Sequence, residues 1–471
     1  MRPARPPSSR WLLVFVAAVG VMVGTMDATA VPIALPRLAD ALAVDASTIL
    51  WVGIIYLLTV AGLLFTMGWV GDVAGRRAVY AGGFAVFALG LALAAAAPNV
   101  WALLGARVVQ GVGGAMTAAN EYAVLATAFP PRERAKAVGF QGAGVGLGLA
   151  LGPLVGGVVL DHLDWRALFY LRVPHALLVA LLALWVVRDE GPARAGGAPP
   201  DVPGAALLFA TMGSFLLAVN QFGRAGLGSP VVWGAGAAFL VLLPLFVVVE
   251  RRAAMPVLDL SLFRARAFRL ATLCAIGFYM ARSSVDYLTP FYLQNGLGYA
   301  ATTAGLFMFT FHILRMVGSP VAGTLGTWLT ARTISSAALV VLGLGVLALA
   351  RVGEDPSVGA LVLALVLAGA GAASFEAPNT AAILNAAPAQ RRGAGSAAVA
   401  TARQLGQSSG AALAGALYAA QLDRHLAALV GRGLPAAEAA PTATVLAYSA
   451  AMGLPFAFAG LALVASLVRP G

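Results

Sequence analysis

The chain has 471 residues, 60% of them apolar and only 10% charged, with a mean hydropathy of +0.88 and a formal net charge of +11. A soluble globular protein carries about 25% charged residues, so this balance excludes a soluble enzyme, a disordered chain and a nucleic-acid binder, and leaves a polytopic membrane protein. The single cysteine, Cys274, excludes a disulfide framework and a Cys-based metal cluster.

A membrane-crossing helix needs about 20 mostly apolar residues. Apolar runs bounded by charges or Pro/Gly breaks predict about fourteen such helices. They start near Trp11, Ile49, Val79, Trp101, Ala137, Ala167, Pro203, Val231, Leu270, Thr302, Thr333, Val358, Ser396 and Thr444. The seventh and eighth are short, and the run after Arg392 is rich in Gly, Ser and Gln. No long stretch alternates with period two, which argues against a β-barrel. The first run contains Ala28-Thr29-Ala30, a mimic of a signal cleavage site. It passes smoothly into Val31-Pro32-Ile33-Ala34-Leu35-Pro36, so it reads as a retained span. Most of the 30 basic residues fall in alternate gaps and in the two tails. The positive-inside rule then predicts both termini in the cytoplasm, with the chain crossing the inner (plasma) membrane many times.

The sequence repeats itself at an offset of 258: Gly111 pairs with Gly369, Gly113 with Gly371, Pro130 with Pro388, Arg134 with Arg392, Gly148 with Gly406 and Gly152 with Gly410. The offset spans an even number of helices, so the copies point the same way. That is the parallel repeat many secondary transporters use. The expected organisation is an N-terminal six-helix bundle over 1–190, two inserted helices and linkers over 191–265, and a C-terminal six-helix bundle over 266–471. The fold class is all-α.

Ionisable groups inside a bilayer are costly and are functional candidates by default. Four acids fall well inside spans: Asp27, Glu121, Asp286 and Glu376, in spans one, four, nine and twelve. Asp27 lies roughly 24 Å along a helix entering from the cytoplasm, and Arg107 roughly 9 Å along one entering from outside. Both sit in the outer half at comparable depth. A carboxylate poised between burial and a guanidinium can take up or release a proton when the pair separates, so Asp27 and Arg107 are the leading proton-coupling candidates. Glu121 follows Arg107 on one helical stripe through Gly111, Gly114 and Ala118, nearer the cytoplasm. It could attract a cation or take the proton's next step. Asp286 has Arg282 four residues back, which favours self-neutralisation. His312, Arg315, Glu376 and Asn379 complete the candidate cavity set.

Small residues suggest the moving parts. Gly144, Gly148, Gly152 and Gly156, with Gly157, make a smooth stripe that lets another helix backbone approach. Pro153 removes one backbone hydrogen bond and weakens that helix locally. In the gap after span two, Gly68, Asp72, Gly75, Arg76 and Arg77 could form a charge cluster that breaks when an inner gate opens. The matching gap, Gly323-Thr324-Leu325-Gly326-Thr327, lacks the acid.

Four segments resemble signature motifs of the major facilitator superfamily, and more closely its fourteen-span drug:proton antiporter branch (EmrB/QacA-like). Gly68-Trp69-Val70-Gly71-Asp72-Val73-Ala74-Gly75-Arg76-Arg77 is similar to the loop G-x-x-x-D-R-x-G-R-R, with Val73 in place of the Arg after the Asp. Arg107-Val108-Val109-Gln110-Gly111-Val112-Gly113-Gly114 matches R-x-x-Q-G-x-G-G. Gly144, Gly148, Gly152-Pro153 and Gly156-Gly157 match the antiporter pattern G-x-x-x-G-P-x-x-G-G. Asp27 to Pro36 resembles D-x-T-x-V-N-x-A-L-P, with Pro32 for the Asn. Trp165-Arg166-Ala167-Leu168-Phe169 and Arg403-Gln404-Leu405-Gly406 add weaker likeness. The resemblance implies two six-helix bundles plus two extra helices, with the four acid-bearing spans lining a central cavity. It implies a proton-coupled exporter of amphiphilic or cationic drug-like compounds working by alternating access, with the roles given above for each residue.

No G-x-x-x-x-G-K-[ST] loop occurs, and Lys136 is the only lysine, so ATP is not the expected energy source. No pair of His stands at metal-ligand spacing, and no nucleophile–base pair falls at matching depth, so no enzymatic role is expected. The expected partners are a small amphiphilic substrate, protons and membrane lipids, with no cofactor, no nucleic acid and a monomeric state. The rivals are a dedicated exporter of one native metabolite, antibiotic or lipid, and a non-transporting receptor or scaffold. The latter would have no need of four buried acids.

Overall fold

The computed structural model describes residues 7–128, 131–187, 201–253, 256–325, 328–388 and 392–470. Among these residues the regular secondary structure is all helical, joined by short turns. In order the helices are α1 (Pro7–Ala41), α2 (Ala46–Ile49), α3 (Trp51–Ala74), α4 (Arg76–Ala95), α5 (Val100–Ala128), α6 (Pro131–His162), α7 (Ala167–Tyr170) and α8 (Val173–Val186). Then follow α9 (Val202–Ala225), α10 (Pro230–Arg252), α11 (Arg266–Phe291), α12 (Ala301–Leu325), α13 (Ala331–Ala350), α14 (Val358–Ala386), α15 (Arg392–Val430), α16 (Ala436–Ala451) and α17 (Gly453–Val468).

Among the described residues, 10 helical segments are long and apolar enough to cross a membrane. The helices α5, α11 and α15 fall outside that set because they carry polar and charged side chains, and α12 counts only as the shorter apolar helix Ala301–Leu314. The outer surface is apolar. Trp101 and Trp233 stand exposed at one end of the molecule, and Trp185 and Trp328 at the other, where amphipathic rings meet lipid headgroups. The chain is a multi-pass membrane protein.

The sequence repeat is a structural repeat. Helices α5 and α14 begin and end 258 residues apart. Each main packing of one half recurs in the other: α1 on α6 and α11 on α15, α4 on α5 and α13 on α14, α3 on α5 and α12 on α14, α4 on α8 and α13 on α17. Between halves the contacts are again paired, α6 on α12 and α3 on α15. Helices α9 and α10 pack on each other, and α9 leans on α3 and α15 at the seam. There the buried Asn220 amide donates to the Ser47 carbonyl at 2.9 Å. Helix α10 is peripheral, with Leu240 70% and Val241 66% exposed on its outer face.

The glycine stripe of α6 is where α1 docks. A Cβ at Gly144 would collide with the Ala18 backbone, at Gly148 with Met22 and Thr25, and at Gly152 with Met26 and Thr29; at Gly156 it would press on Ala30. The neighbouring Gly157 faces the other half, against Ala301 and Thr302 of α12, and Gly305 of α12 meets the carbonyl of Pro153. One helix thus joins a partner within its half and a partner across the seam. In α15, Gly406 and Gly410 receive the backbone of α11 at Ile276 and Met280.

The face called proximal here holds the ends of α14 and α5: Arg469, after α17, donates to Asn379 Oδ1 near the end of α14 at 2.9 Å, and Leu13 and Val14 at the start of α1 cluster with Val124 and Leu125 near the end of α5. The opposite, distal end is tied shut across the seam. The Gln294 side-chain amide donates to the Ile33 carbonyl at 2.9 Å. Asp161, at the end of α6, accepts from the Ala301 and Thr302 amides at 3.0 and 2.7 Å, so a carboxylate of one half satisfies the first turn of α12 in the other. Asp161 also meets Arg37 at 3.5 Å.

Candidate functional site

Asp27 lies on α1 with no exposed surface, held by two arginines. Arg107 Nη1 of α5 donates to its Oδ2 at 2.8 Å, and Arg172 Nη1, just before α8, donates to its Oδ1 at 2.7 Å. The rest of the Arg107 guanidinium is largely spoken for, whereas Arg172 Nη2 is buried with no hydrogen-bond partner among the described residues. Arg107 Nε donates to the Val52 carbonyl at 2.9 Å, its Nη1 also reaches the Gln110 carboxamide oxygen, and its plane lies 4.6 Å from the Tyr56 ring centre. Arg172 Nε donates to the Leu168 carbonyl at 2.7 Å. A charge this deep persists only when paired and hydrogen-bonded, and here one carboxylate answers two cations. The cluster joins α1, α5 and the start of α8.

Beside it runs a cavity of about 250 Å³ between the two halves. Glu121, Asp286, Arg282, Glu376 and Arg403 are its charged lining, and Tyr56, Phe84, Phe87 and Tyr287 its aromatic lining. The N-terminal half contributes α1, α3, α4, α5 and α6; the C-terminal half contributes α11, α14 and α15. Glu121 is only 7% exposed, and its Oε1 has no hydrogen-bond partner among the described residues. Asp286 pairs with Arg282 at 3.1 Å, one turn away on α11, and His312 Nε2 of α12 stands 3.5 Å from the other Asp286 oxygen.

The candidates from sequence distribute as follows. Asp27 and Arg107 meet, but the pair sits behind the cavity wall, with Tyr56 in the wall and stacked on Arg107. Glu121, Asp286, Arg282 and Glu376 line the cavity. His312 is a correction: it lies off the cavity lining, turned toward Asp286 and 2% exposed. Asn379 is another. Its side chain is bonded to Arg469 and to the Ala271 carbonyl near the proximal end, because the last turns of α14 pack on α11 there. The Arg315 side chain lies outside the described residues.

In the loop between α3 and α4, Asp72 accepts from Arg76 at 2.8 Å, within one segment rather than across the halves. Gly75 joins the two helices at φ +96°, a conformation that favours glycine. Arg77 donates to the Leu184 carbonyl of α8, and Asn120 of α5 to the Met67 carbonyl of α3 at 3.0 Å. Gly68 has room beside Ala119, whereas Gly71 is the glycine pressed against Asn120.

Sequence reading missed Arg172 and the cavity position of Arg403. The signal for Arg172 was present: a basic residue five positions past Ala167, inside an apolar run and at the same outer depth as Asp27. Counting buried acids alone passed over it.

Two pseudo-symmetric helical bundles closing on a charged cavity of about 250 Å³ define a membrane transporter rather than an enzyme. The chain belongs to the major facilitator superfamily: residues 17–411 and 271–468 match Major Facilitator Superfamily. It is 32% identical to the multidrug resistance protein Stp of Mycobacterium tuberculosis, over 90% of this chain and 79% of that one. It is 28% identical to the riboflavin transporter RibZ of Clostridioides difficile, over 88% and 89%. Among solved structures, a bacterial homologue of the human lysosomal transporter Spinster, inward-facing and occupied, superposes with a TM-score of 0.71 over 98% of both chains at 13% identity, which speaks to the fold alone.

Proposed function

We propose that this protein is a proton-coupled antiporter that exports amphiphilic or cationic drug-like compounds by alternating access, as a member of the fourteen-span drug:proton antiporter branch. The two helices beyond the paired bundles, α9 and α10, support that branch, and the likeness to the multidrug resistance protein Stp supports drug-like substrates. All fourteen spans cross the inner membrane, including the polar α5, α11, α12 and α15, and both termini are cytoplasmic. The observation that carries the coupling is the fully buried Asp27 shared by Arg107 and Arg172. Its carboxylate is exchangeable only when α1, α5 and α8 move apart, so proton uptake and helix motion become one event. With the distal end tied shut, the cavity and Glu121 belong to the cytoplasm-facing state. Asp27 is reached from outside once the Gln294–Ile33 and Asp161–α12 ties release. The membrane proton gradient is the energy source and no cofactor takes part.

The test is proton-gradient-driven ethidium transport, read as efflux from cells and as uptake into everted vesicles. Proton-driven efflux by wild type and its loss in Asp27→Asn support the assignment; unchanged efflux removes Asp27 from coupling. The likeness to RibZ favours one second reading, a carrier dedicated to a single native compound. That reading predicts competition by one ligand only across a panel of unrelated toxic compounds. Folding as a monomer is part of the proposal, checked by mass photometry of the purified protein.

A further inference from the structure

The cavity holds an open charge on each side of the seam. Glu121, on α5 of the N-terminal half, is more than nine-tenths buried, and its Oε1 has no hydrogen-bond partner among the described residues. Arg403, on α15 of the C-terminal half, lines the same cavity with its side chain exposed to it, and has neither ion-pair nor hydrogen-bond partner among the described residues. The other lining charges are engaged: Asp286 pairs with Arg282, and Glu376 has its own contacts. Glu121 and Arg403 are near enough for each to feel the other's charge, yet they form no ion pair. Aromatic rings from both halves, Phe84, Phe87, Tyr56 and Tyr287, line the same space.

A buried acid that has Gln141 beside it yet keeps one oxygen, Oε1, without a partner, and an unpaired cation facing the same hollow, are complementary to one ligand chemistry. We propose that the cavity recognises amphoteric aromatic compounds, whose ammonium binds Glu121 and whose carboxylate binds Arg403, with the ring system on the aromatic wall. This deepens the exporter reading by naming its substrate class, and it rests on that reading only for the word substrate. A lone lipophilic cation satisfies Glu121 and leaves Arg403 open; a lone anion does the reverse. Because the two charges sit on opposite halves, a ligand bearing both draws the halves together, whereas one bearing a single charge holds to one half.

The test is equilibrium binding to the purified full-length protein in nanodiscs, read by ligand fluorescence. The probes are a piperazinyl-quinolone carboxylic acid, its methyl ester, which keeps only the ammonium, and its N-acetyl derivative, which keeps only the carboxylate. Each charge-assisted hydrogen bond is worth about 10-fold or more in affinity, so the acid should bind at least about 10-fold more tightly than either derivative. Arg403→Gln should erase the difference between acid and ester, and Arg403→Lys should recover part of it. Glu121→Gln should erase the difference between acid and N-acetyl compound. Size-exclusion and melting profiles show that each variant is folded. Equal affinity for acid and ester in wild type, no effect of Arg403→Gln on acid binding, or no binding of the acid at all overturns the proposal. Binding is measured without transport, so failure of proton-driven efflux leaves this result standing on its own.

Discussion

Asp27 and Arg172 are 145 positions apart in the chain and 2.7 Å apart in space. With Arg107 on the other carboxylate oxygen, one acid is shared by two guanidiniums in a deeply buried cluster. The arrangement is asymmetric. Removing either arginine leaves a matched ion pair, while removing the acid leaves two buried cations facing each other. Position and protonation of one carboxylate therefore decide whether α1, α5 and the start of α8 are held together or pushed apart.

That asymmetry gives a stability prediction. Breaking a buried pair by deleting one partner costs about 3–5 kcal/mol. Asp27→Asn should therefore lower the melting temperature clearly more than Arg172→Gln. The double variant Asp27→Asn/Arg172→Gln should regain only part of the loss, because Arg107 stays buried without a carboxylate, measured by thermal unfolding in detergent. Equal effects of the two single changes would show that the acid is not the shared hub.

Close helix approach gives a second. Gly148→Ala places a methyl against the Met22 backbone and Thr25 of α1, whereas Gly24, on the cavity side of α1, has open space around it. Overpacking costs about 1–3 kcal/mol. Gly148→Ala should reduce melting temperature and transport, and Gly24→Ala should leave melting temperature within a degree or two of wild type. Equal tolerance would contradict the docking of α1 on the stripe.

The distal ties predict a trap. Asp161 reaches the first amides of α12, so Asp161→Cys/Thr302→Cys places two thiols at the same contact. Oxidation should stop transport while leaving ligand binding from the proximal side intact, and reduction should restore transport. Continued turnover of the cross-linked protein would show that the distal end does not open.

Glu121 predicts a pH dependence with a definite sign. A proton and a ligand cation compete for the same carboxylate, so affinity for tetraphenylphosphonium should fall as the medium is acidified. Glu121→Gln should weaken binding about 10-fold and flatten the pH profile. A profile that keeps its slope in Glu121→Gln places the competing proton elsewhere.

Much of the fold was legible because hydrophobic run length and glycine spacing are one-dimensional signals. The offset that pairs Gly148 with Gly406 also carries α5 onto α14, and the stripe from Gly144 to Gly156 foretold a close helix neighbour without saying that it was α1. Depth along a helix brought Asp27 and Arg107 to the same level, but depth says nothing of rotation about the helix axis. For that reason the sequence could not show that Tyr56 stands between Arg107 and the cavity, or that Asn379 turns to Arg469 instead of the lumen. Arg172 needed a different question, namely which buried cations lack a partner.

The most direct measurement is substrate-driven proton movement in proteoliposomes loaded with a pH-sensitive dye, comparing wild type with Asp27→Asn. Ethidium added to wild-type vesicles should move protons in the opposite direction to the dye cation. Asp27→Asn vesicles should bind ethidium and move none. Proton movement of equal size in Asp27→Asn would contradict the assignment of Asp27 as the coupling carboxylate.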